Sequence, residues 1–148
     1  MDKQNLLARL EYIIEDSNSG VLSTVDSEGR PHVRWMTPVL LKDRKGVIFT
    51  VTPRDCEKTK QIMHRPDGVW MVQTRDLDQI ITARGKINIL DNPSIKSEVM
   101  ESAGDKLTMF WTLNRDISEY VVLETVLEEA EFYQPLKDIR QFVRFGNS

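Results

Sequence analysis

Residues 21–36 read Val-Leu-Ser-Thr-Val-Asp-Ser-Glu-Gly-Arg-Pro-His-Val-Arg-Trp-Met, and this stretch predicts a β-hairpin. The β-prone run Val21–Val25 forms its first strand. The turn spans Asp26–Arg30, where Gly29 can supply the positive φ angle that a tight hairpin turn needs. The return strand is predicted from Pro31 to Leu41, with apolar residues alternating along it. Because so short a turn can join only antiparallel neighbours, the hairpin favours an antiparallel sheet.

The rest of the chain supplies four more predicted strands and three helices. The strands are expected at Val47–Thr52, Val69–Thr74, Gln79–Leu90 and Tyr120–Leu127, the last continuing towards Tyr133. A helix is predicted at 2–16 from the spacing of its apolar residues, and others at 55–64 and 94–103 from their start and stop signals. Gly85 interrupts the fifth strand and predicts a bulge. The tail, 134–148, is interpreted as a short helix packed on the body or on a partner subunit.

Six strands joined mainly by short turns predict a mainly β fold, an antiparallel β-barrel with peripheral helices. A doubly wound parallel sheet fits worse, because no crossover helix separates the first three strands. The length of 148 residues favours a single domain over 1–148, with the barrel at about 20–133.

Composition narrows the classes of function. The net charge of −3, with no basic run, argues against nucleic acid as a partner. A single cysteine, Cys56, excludes an internal disulfide and suits a reducing compartment. The first residues lack the pattern of a signal peptide, and no apolar run has the length of a membrane span, so we expect a cytoplasmic protein with no membrane partner.

Two segments carry side chains suited to binding an anion. Arg34 lies in the second strand, and Lys58 lies in the first turn of the helix that follows the third strand. A helix N-terminus presents unpaired N–H groups to an anion, and the two cations would clamp the same phosphate. The alternative is that both are solvated surface charges, and the residues alone leave this open. No spacing of His, Cys or carboxylates predicts a metal site, and no catalytic side chain is identified.

These segments resemble the pyridoxamine 5′-phosphate oxidase-like flavoproteins, also called FMN-binding split barrels, and among them the general stress protein branch. The resemblance lies in Leu-Ser-Thr-Val-Asp at 22–26, Gly-Arg-Pro-His at 29–32 and Arg-Trp-Met at 34–36. It continues in Phe-Thr at 49–50, Cys-Glu-Lys at 56–58 and Gly85, and spans residues 5–133. It implies a six-stranded antiparallel split β-barrel that forms a homodimer with FMN in the subunit interface.

The resemblance also implies which residues hold the cofactor. Arg34 and Lys58 would bind the FMN phosphate. Further contacts to FMN are expected from Trp35, Met36, Thr37, Phe49, Thr50 and Thr52, and from Trp111, for which core or dimer packing is the alternative role. Two positions depart from the family. Glu57 stands where a second phosphate-binding arginine is common, and Cys56 replaces a serine, with Arg54 a candidate to compensate.

The function that the resemblance implies is that of an FMN-binding oxidoreductase acting by hydride transfer at the bound flavin. Pyridoxamine-phosphate oxidase activity itself is not expected, because the substrate-gripping C-terminal pattern of that enzyme is absent after Tyr133. The alternatives are a non-catalytic flavin-binding stress module, a barrel that binds a deazaflavin, and a barrel that binds no cofactor.

Overall fold

The computed structural model describes residues 1–104 and 119–146. Its helices are α1 (Lys3–Ser17), α2 (Glu57–His64) and α3 (Pro93–Ala103). Its strands are β1 (Gly20–Val25), β2 (Pro31–Met36), β3 (Val47–Pro53), β4 (Asp67–Gln73), β5 (Ile80–Leu90), β6 (Tyr120–Gln134) and β7 (Ile139–Arg144). The fold is mainly β, as predicted from the sequence, and within the described residues no helix is long and apolar enough to cross a membrane.

The sheet is antiparallel throughout, with the strand order β2-β1-β4-β5-β6-β3 and with β7 paired to β6. Its two ends, β2 and β3, form no ladder among the described residues, and an isolated bridge joins the chain after β2 to β3. In that bridge Val39 and Phe49 exchange N–H···O hydrogen bonds of 2.7 and 2.8 Å. The sheet therefore curls into a barrel that stays split between β2 and β3.

Two predictions about strands are corrected. The second strand ends at Met36 instead of Leu41, because Pro38 has no N–H to donate to a ladder. The tail is not a helix, since a short 3₁₀ turn at Pro135–Lys137 leads into β7, which gives the sheet seven strands instead of six. The reason is tertiary: β7 satisfies its backbone groups along the end of β6, which local periodicity does not reveal.

The β1–β2 hairpin is held by its turn. Gly29 adopts a φ of 84°, and the Asp26 carboxylate accepts the backbone N–H groups of Glu28 and Arg30 at 2.9 Å. The same carboxylate lies 2.8 Å from Nε2 of His32. The contact with His32 and the bond from the Arg30 N–H lower the pKa of Asp26 to about 2. This turn fixes the pairing that places Arg34 opposite Leu22.

The interior of the barrel is filled on one side by α1. Its N-cap is Asp2, and the carboxylate accepts the N–H of Asn5 at 2.8 Å. The buried face of α1 packs into the same core as Leu22 and the fully buried Trp70. The Trp70 indole N–H donates to Oγ1 of Thr125 at 3.0 Å, so no polar atom of that ring is left unpaired.

A second core lies on the other face of β3 and β6, where α3 and the chain after β2 cover Phe49 and Tyr120. The predicted bulge at Gly85 is confirmed by a register shift between Arg84 and Gly85. A Cβ at Gly85 would lie 2.1 Å from the carbonyl oxygen of Val126, so only glycine lets β5 and β6 approach this closely. The two apolar cores do not include the region between β2 and β3, which we call the rim of the barrel and where polar groups can lie.

Candidate functional site

Strand β2 divides its side chains between two environments. Pairing with β1 places Arg34 opposite Leu22, which is fully buried, so Arg34 faces the inside of the barrel. Trp35 faces the opposite way and is 67% exposed. The two consecutive residues that the sequence assigns to one cofactor site thus lie on different faces of the sheet.

Arg34 is half-buried, and polar groups of β1 and α2 hold its guanidinium. Its Nη1 donates to Oγ1 of Thr24 at 2.7 Å and to the carbonyl oxygen of Leu22 at 3.2 Å. Its Nη2 makes a longer contact of 3.5 Å with Oε1 of Gln61. The Thr24 hydroxyl in turn donates to the same Gln61 oxygen at 2.7 Å. Thr24 and Gln61 are both buried, so the guanidinium rests on a buried polar network.

These contacts engage three of the five N–H groups of Arg34. Among residues 1–104 and 119–146, no acceptor is found for Nε–H or for the second Nη2–H of Arg34. These two N–H bonds are parallel and lie on one edge of the planar guanidinium, where they match two oxygens of a carboxylate or a phosphate. Desolvation lowers the pKa of Arg34, and a guanidinium so placed still stays charged.

A second cation approaches from α2. Lys58 donates from Nζ to Oγ1 of Thr52 at 2.5 Å and lies 3.5 Å from Sγ of Cys56. Cys56 is the N-cap of α2, and its backbone N–H donates to Oγ1 of Thr59 at 3.2 Å. Arg34 lies beside the same helix, through its contact with Gln61. We name Arg34, Lys58, Thr52 and Cys56 the cation cluster, because Lys58 joins Thr52 and Cys56 directly and Arg34 contacts Gln61 three residues further along α2.

The neighbours of Cys56 change the pKa of its thiol. Burial opposes its ionisation, but hydrogen bonds from the Thr59 side chain and backbone and the charge of Lys58 outweigh burial. The net result is a pKa below the usual value of a thiol. Cys56 therefore caps α2 and also lies in the electrostatic field of Lys58.

The other predicted site residues lie around the cluster or away from it. Thr50 is buried on the inner face of β3 and donates to the Thr37 carbonyl at 2.8 Å, which ties the two sides of the split together. Met36 packs against the main core. Phe49 is fully buried in the second core, with its backbone paired to Val39, so the structure does not bring its ring to the cluster. Trp111 lies outside the described residues.

Arg54 and Glu57, two charged residues near the cluster, each have a structural role. Arg54 does not lie free in the loop, because both terminal nitrogens of its guanidinium contact the Asp91 carboxylate, Nη2 to Oδ1 at 2.9 Å. Glu57 is exposed in the first turn of α2, where a carboxylate favours the helix dipole. Glu57 therefore has a structural reason to occupy its position.

Sequence reasoning missed Thr24 and Gln61. Two signals point to them once the elements are known. Thr24 lies two residues after Leu22 and so shares the inner face of β1. Gln61 lies three residues after Lys58 and so shares its side of α2.

Comparisons with known proteins agree on the family and the fold. The family model described as "Pyridoxamine 5'-phosphate oxidase" matches residues 6–134, well over half of the chain. The structure of general stress protein 26 from Bacillus anthracis str. Sterne superposes with a TM-score of 0.75 at 22% identity, covering 95% of this chain and 99% of that chain. No curated protein matches the chain.

Two further solved structures share the fold at low sequence identity. A pyridoxamine 5'-phosphate oxidase-related, FMN binding protein from Nostoc punctiforme is similar with a TM-score of 0.69 and 11% identity, covering 95% of this chain and 96% of that chain. A heme binding protein from Mycobacterium smegmatis has a TM-score of 0.70 and 16% identity, covering 89% of this chain and 55% of that chain. At such identities the likeness is one of fold.

The shared environment of Cys56 and Lys58 yields a prediction about pH. Because the Lys58 charge favours the thiolate, the rate of alkylation of Cys56 by iodoacetamide will rise through a midpoint below that of a free thiol. Lys58→Met will move this midpoint to higher pH. Lys60→Met, on the exposed side of the same helix, is the matched control and will leave it in place. A midpoint unchanged by Lys58→Met would contradict the assigned contact.

Proposed function

The chain belongs to the pyridoxamine 5'-phosphate oxidase family, and from that premise we propose that it is a flavoprotein that binds FMN by its phosphate at the cation cluster. The observation that carries the proposal is the open edge of the Arg34 guanidinium. That edge presents two parallel N–H groups, while Nη1 on the other side of the guanidinium donates to Thr24 and Leu22. Such a fork suits bidentate binding of phosphate oxygens.

The charge of the cluster supports the same ligand. A phosphate monoester carries about −1.5 to −2 at neutral pH, and the two cations Arg34 and Lys58 compensate it. Two of the three Lys58 N–H groups contact Thr52 and Cys56, and the third is available for the phosphate. Partial burial strengthens these attractions relative to bulk water. The residues present therefore fit an FMN phosphate even though Glu57 stands in place of the second arginine.

The flavin ring would extend from the phosphate along β2 and the chain that follows it. Within the described residues β2 pairs with β1 alone, so alternate backbone N–H and C=O groups at the end of β2 are open to a ligand's polar edge. In this arrangement Trp35, Met36 and Thr37 contribute backbone, and Thr50 contributes its side-chain hydroxyl across the split. Bound FMN would supply the hydride-transfer chemistry of an oxidoreductase, and the chain's own residues bind and orient it.

A homodimer with FMN at its interface is the second part of the proposal. Successive strand pairings align Trp35, Val21, Met71 and Phe142 on the outer face of the sheet, in one row with Thr82 and Glu131 between them. Trp35 and Phe142 are each 67% exposed, and Val33 beside Trp35 is 69% exposed. Exposed aromatic and methionine side chains on an otherwise solvated face are typical of a protein interface.

The row begins on the strand that carries Arg34, so a subunit covering Trp35 would also border the cofactor. This continuity supports the placement of FMN in the subunit interface. We also assign the protein to the cytoplasm, where the accessible thiol of Cys56 would stay reduced.

FMN binding is tested by titrating the purified protein with FMN and following flavin absorbance and fluorescence. The wild-type chain will bind FMN, and Arg34→Ala will weaken it about 10- to 100-fold, the range that a charge-assisted hydrogen bond supports. Arg30→Ala is the matched control, because Arg30 is exposed and pairs with Glu28 at 3.2 Å in the hairpin turn. Equal effects of the two substitutions, or a wild-type chain that takes up no FMN, would overturn the assignment.

Oxidoreductase activity is tested by adding NADH or NADPH to the FMN-loaded protein without oxygen. An oxidoreductase will lose the absorbance of its oxidised flavin within about seconds, since typical enzyme turnover is about 1–1000 per second. Flavin that stays oxidised with both donors would support the non-catalytic flavin-binding module instead.

The dimer is tested by sedimentation equilibrium. Wild-type protein will have twice the chain mass of 17.2 kDa. Trp35→Glu will shift it towards the monomer, because it places a charge in the apolar row. The matched control is Met63→Glu, which adds the same charge at a side chain that is 75% exposed on α2, off that row. A monomeric wild-type protein, or a dimer indifferent to Trp35→Glu, would contradict the proposed interface.

A further inference from the structure

We propose that Gln61 is a positioning residue that determines which edge of the Arg34 guanidinium faces the ligand, and thereby makes the site specific for a phosphate ester. The inference rests on the proposed function, since it concerns the same phosphate. It adds a residue that touches neither the phosphate nor the flavin in this assignment. Its effect reaches the ligand through Arg34.

The contacts of Gln61 converge on one atom. Its Oε1 accepts the Thr24 hydroxyl at 2.7 Å and receives Nη2 of Arg34 at 3.5 Å. The Thr24 oxygen, turned by that bond, accepts Nη1 of Arg34 at 2.7 Å. Gln61 is 8% exposed and Thr24 is fully buried, so water cannot readily replace either acceptor. The Gln61 oxygen thus orders both terminal nitrogens of Arg34, one directly and one through Thr24.

This ordering has a chemical consequence. An arginine side chain free to rotate would offer its N–H groups in many directions, and a phosphate would have to order it on binding. With Nη1 held by Leu22 and Thr24, the guanidinium presents its Nε–Nη2 edge to a ligand before that ligand binds. That edge is the one with two parallel donors for two phosphate oxygens.

The lack of charge on the Gln61 side-chain amide is as important for phosphate binding as its position. A carboxylate at residue 61 would also accept both hydrogen bonds, but its negative charge would compensate Arg34 and compete with the phosphate. An apolar side chain would leave the Thr24 hydroxyl and the guanidinium without their buried acceptor. Glutamine accepts without adding charge, so the positive charge of Arg34 is preserved for the ligand.

The position of Gln61 on α2 links the two cations. Lys58 and Gln61 are three residues apart and lie on the same side of the helix. Helix α2 therefore supplies one cation directly and the acceptor that orients the other. A shift of α2 would disturb both, whereas a change at Gln61 disturbs Arg34 alone, and this difference makes the role of Gln61 testable.

The experiment compares FMN with riboflavin, which has the same flavin ring but no phosphate. Dissociation constants for both ligands are measured for the wild-type protein and for Gln61→Met, which keeps the side-chain length and removes the acceptor. Wild type will bind FMN more tightly than riboflavin. Gln61→Met will reduce this FMN preference about 3- to 10-fold, as expected for an interaction of hydrogen-bond strength, with riboflavin affinity unchanged.

Two further variants separate positioning from folding. Gln61→Glu keeps the acceptor and adds charge, and it will reduce the FMN preference at least as much as Gln61→Met. Ile62→Val loosens the adjacent core residue of α2, which is 3% exposed, and will lower thermal stability while keeping the FMN preference. Circular dichroism spectra check that each variant is folded.

The outcomes distinguish the two levels of the proposal. A wild-type protein that does not prefer FMN over riboflavin refutes the phosphate site and with it this inference. A wild-type protein that prefers FMN, with the preference retained in both Gln61 variants, refutes the positioning role alone. Equal losses of FMN and riboflavin affinity in the Gln61 variants would assign Gln61 a purely structural role and also overturn the inference.

Discussion

The register of the β1–β2 hairpin constrains every other feature of the candidate site. Side chains of a strand alternate between faces, so a slip of one residue would turn Arg34 outward and Trp35 into the barrel. The Asp26 carboxylate opposes such a slip by accepting two backbone N–H groups of the turn, while Gly29 takes the positive φ angle. The polar turn at the surface thereby places Arg34 on the inner face of the strand and Trp35 on the outer face.

The location of the site at the rim follows from how the barrel is filled. Helix α1 and the buried ring of Trp70 occupy the interior, and α3 covers the far side of β3 and β6. Neither core has room for a charged group without a partner. Between β2 and β3 the sheet is joined by the Val39–Phe49 bridge and the Thr50–Thr37 hydrogen bond, so polar backbone and hydroxyl groups are concentrated there. Arg34 and Lys58 can be half-buried at this position because hydroxyl and carbonyl oxygens surround them.

Neighbouring polar groups engage some of the N–H groups of each cation in the cluster. Thr24 and Gln61 take up the inner N–H groups of Arg34, and Thr52 takes up one of Lys58. Each cation thus keeps N–H donors that have no acceptor among the described residues. Cys56 is the N-cap of α2, and hydrogen bonds with Thr59 together with the charge of Lys58 lower the pKa of its thiol. The ion pair of Arg54 with Asp91 keeps a third cation occupied outside the cluster.

The sequence by itself determined the hairpin, the antiparallel mainly β fold, the bulge at Gly85 and the two cations, since each depends on local propensity, turn chemistry or a short motif. It also pointed to Thr52. Only the tertiary structure decided that the tail adds β7 to the sheet, that Phe49 belongs to a buried core, and that Thr24 and Gln61 lie beneath Arg34. The physical reason is distance along the chain. Gln61 lies 37 residues from Thr24 and 27 from Arg34, and no local pattern encodes hydrogen bonds between elements that meet only when the sheet curls.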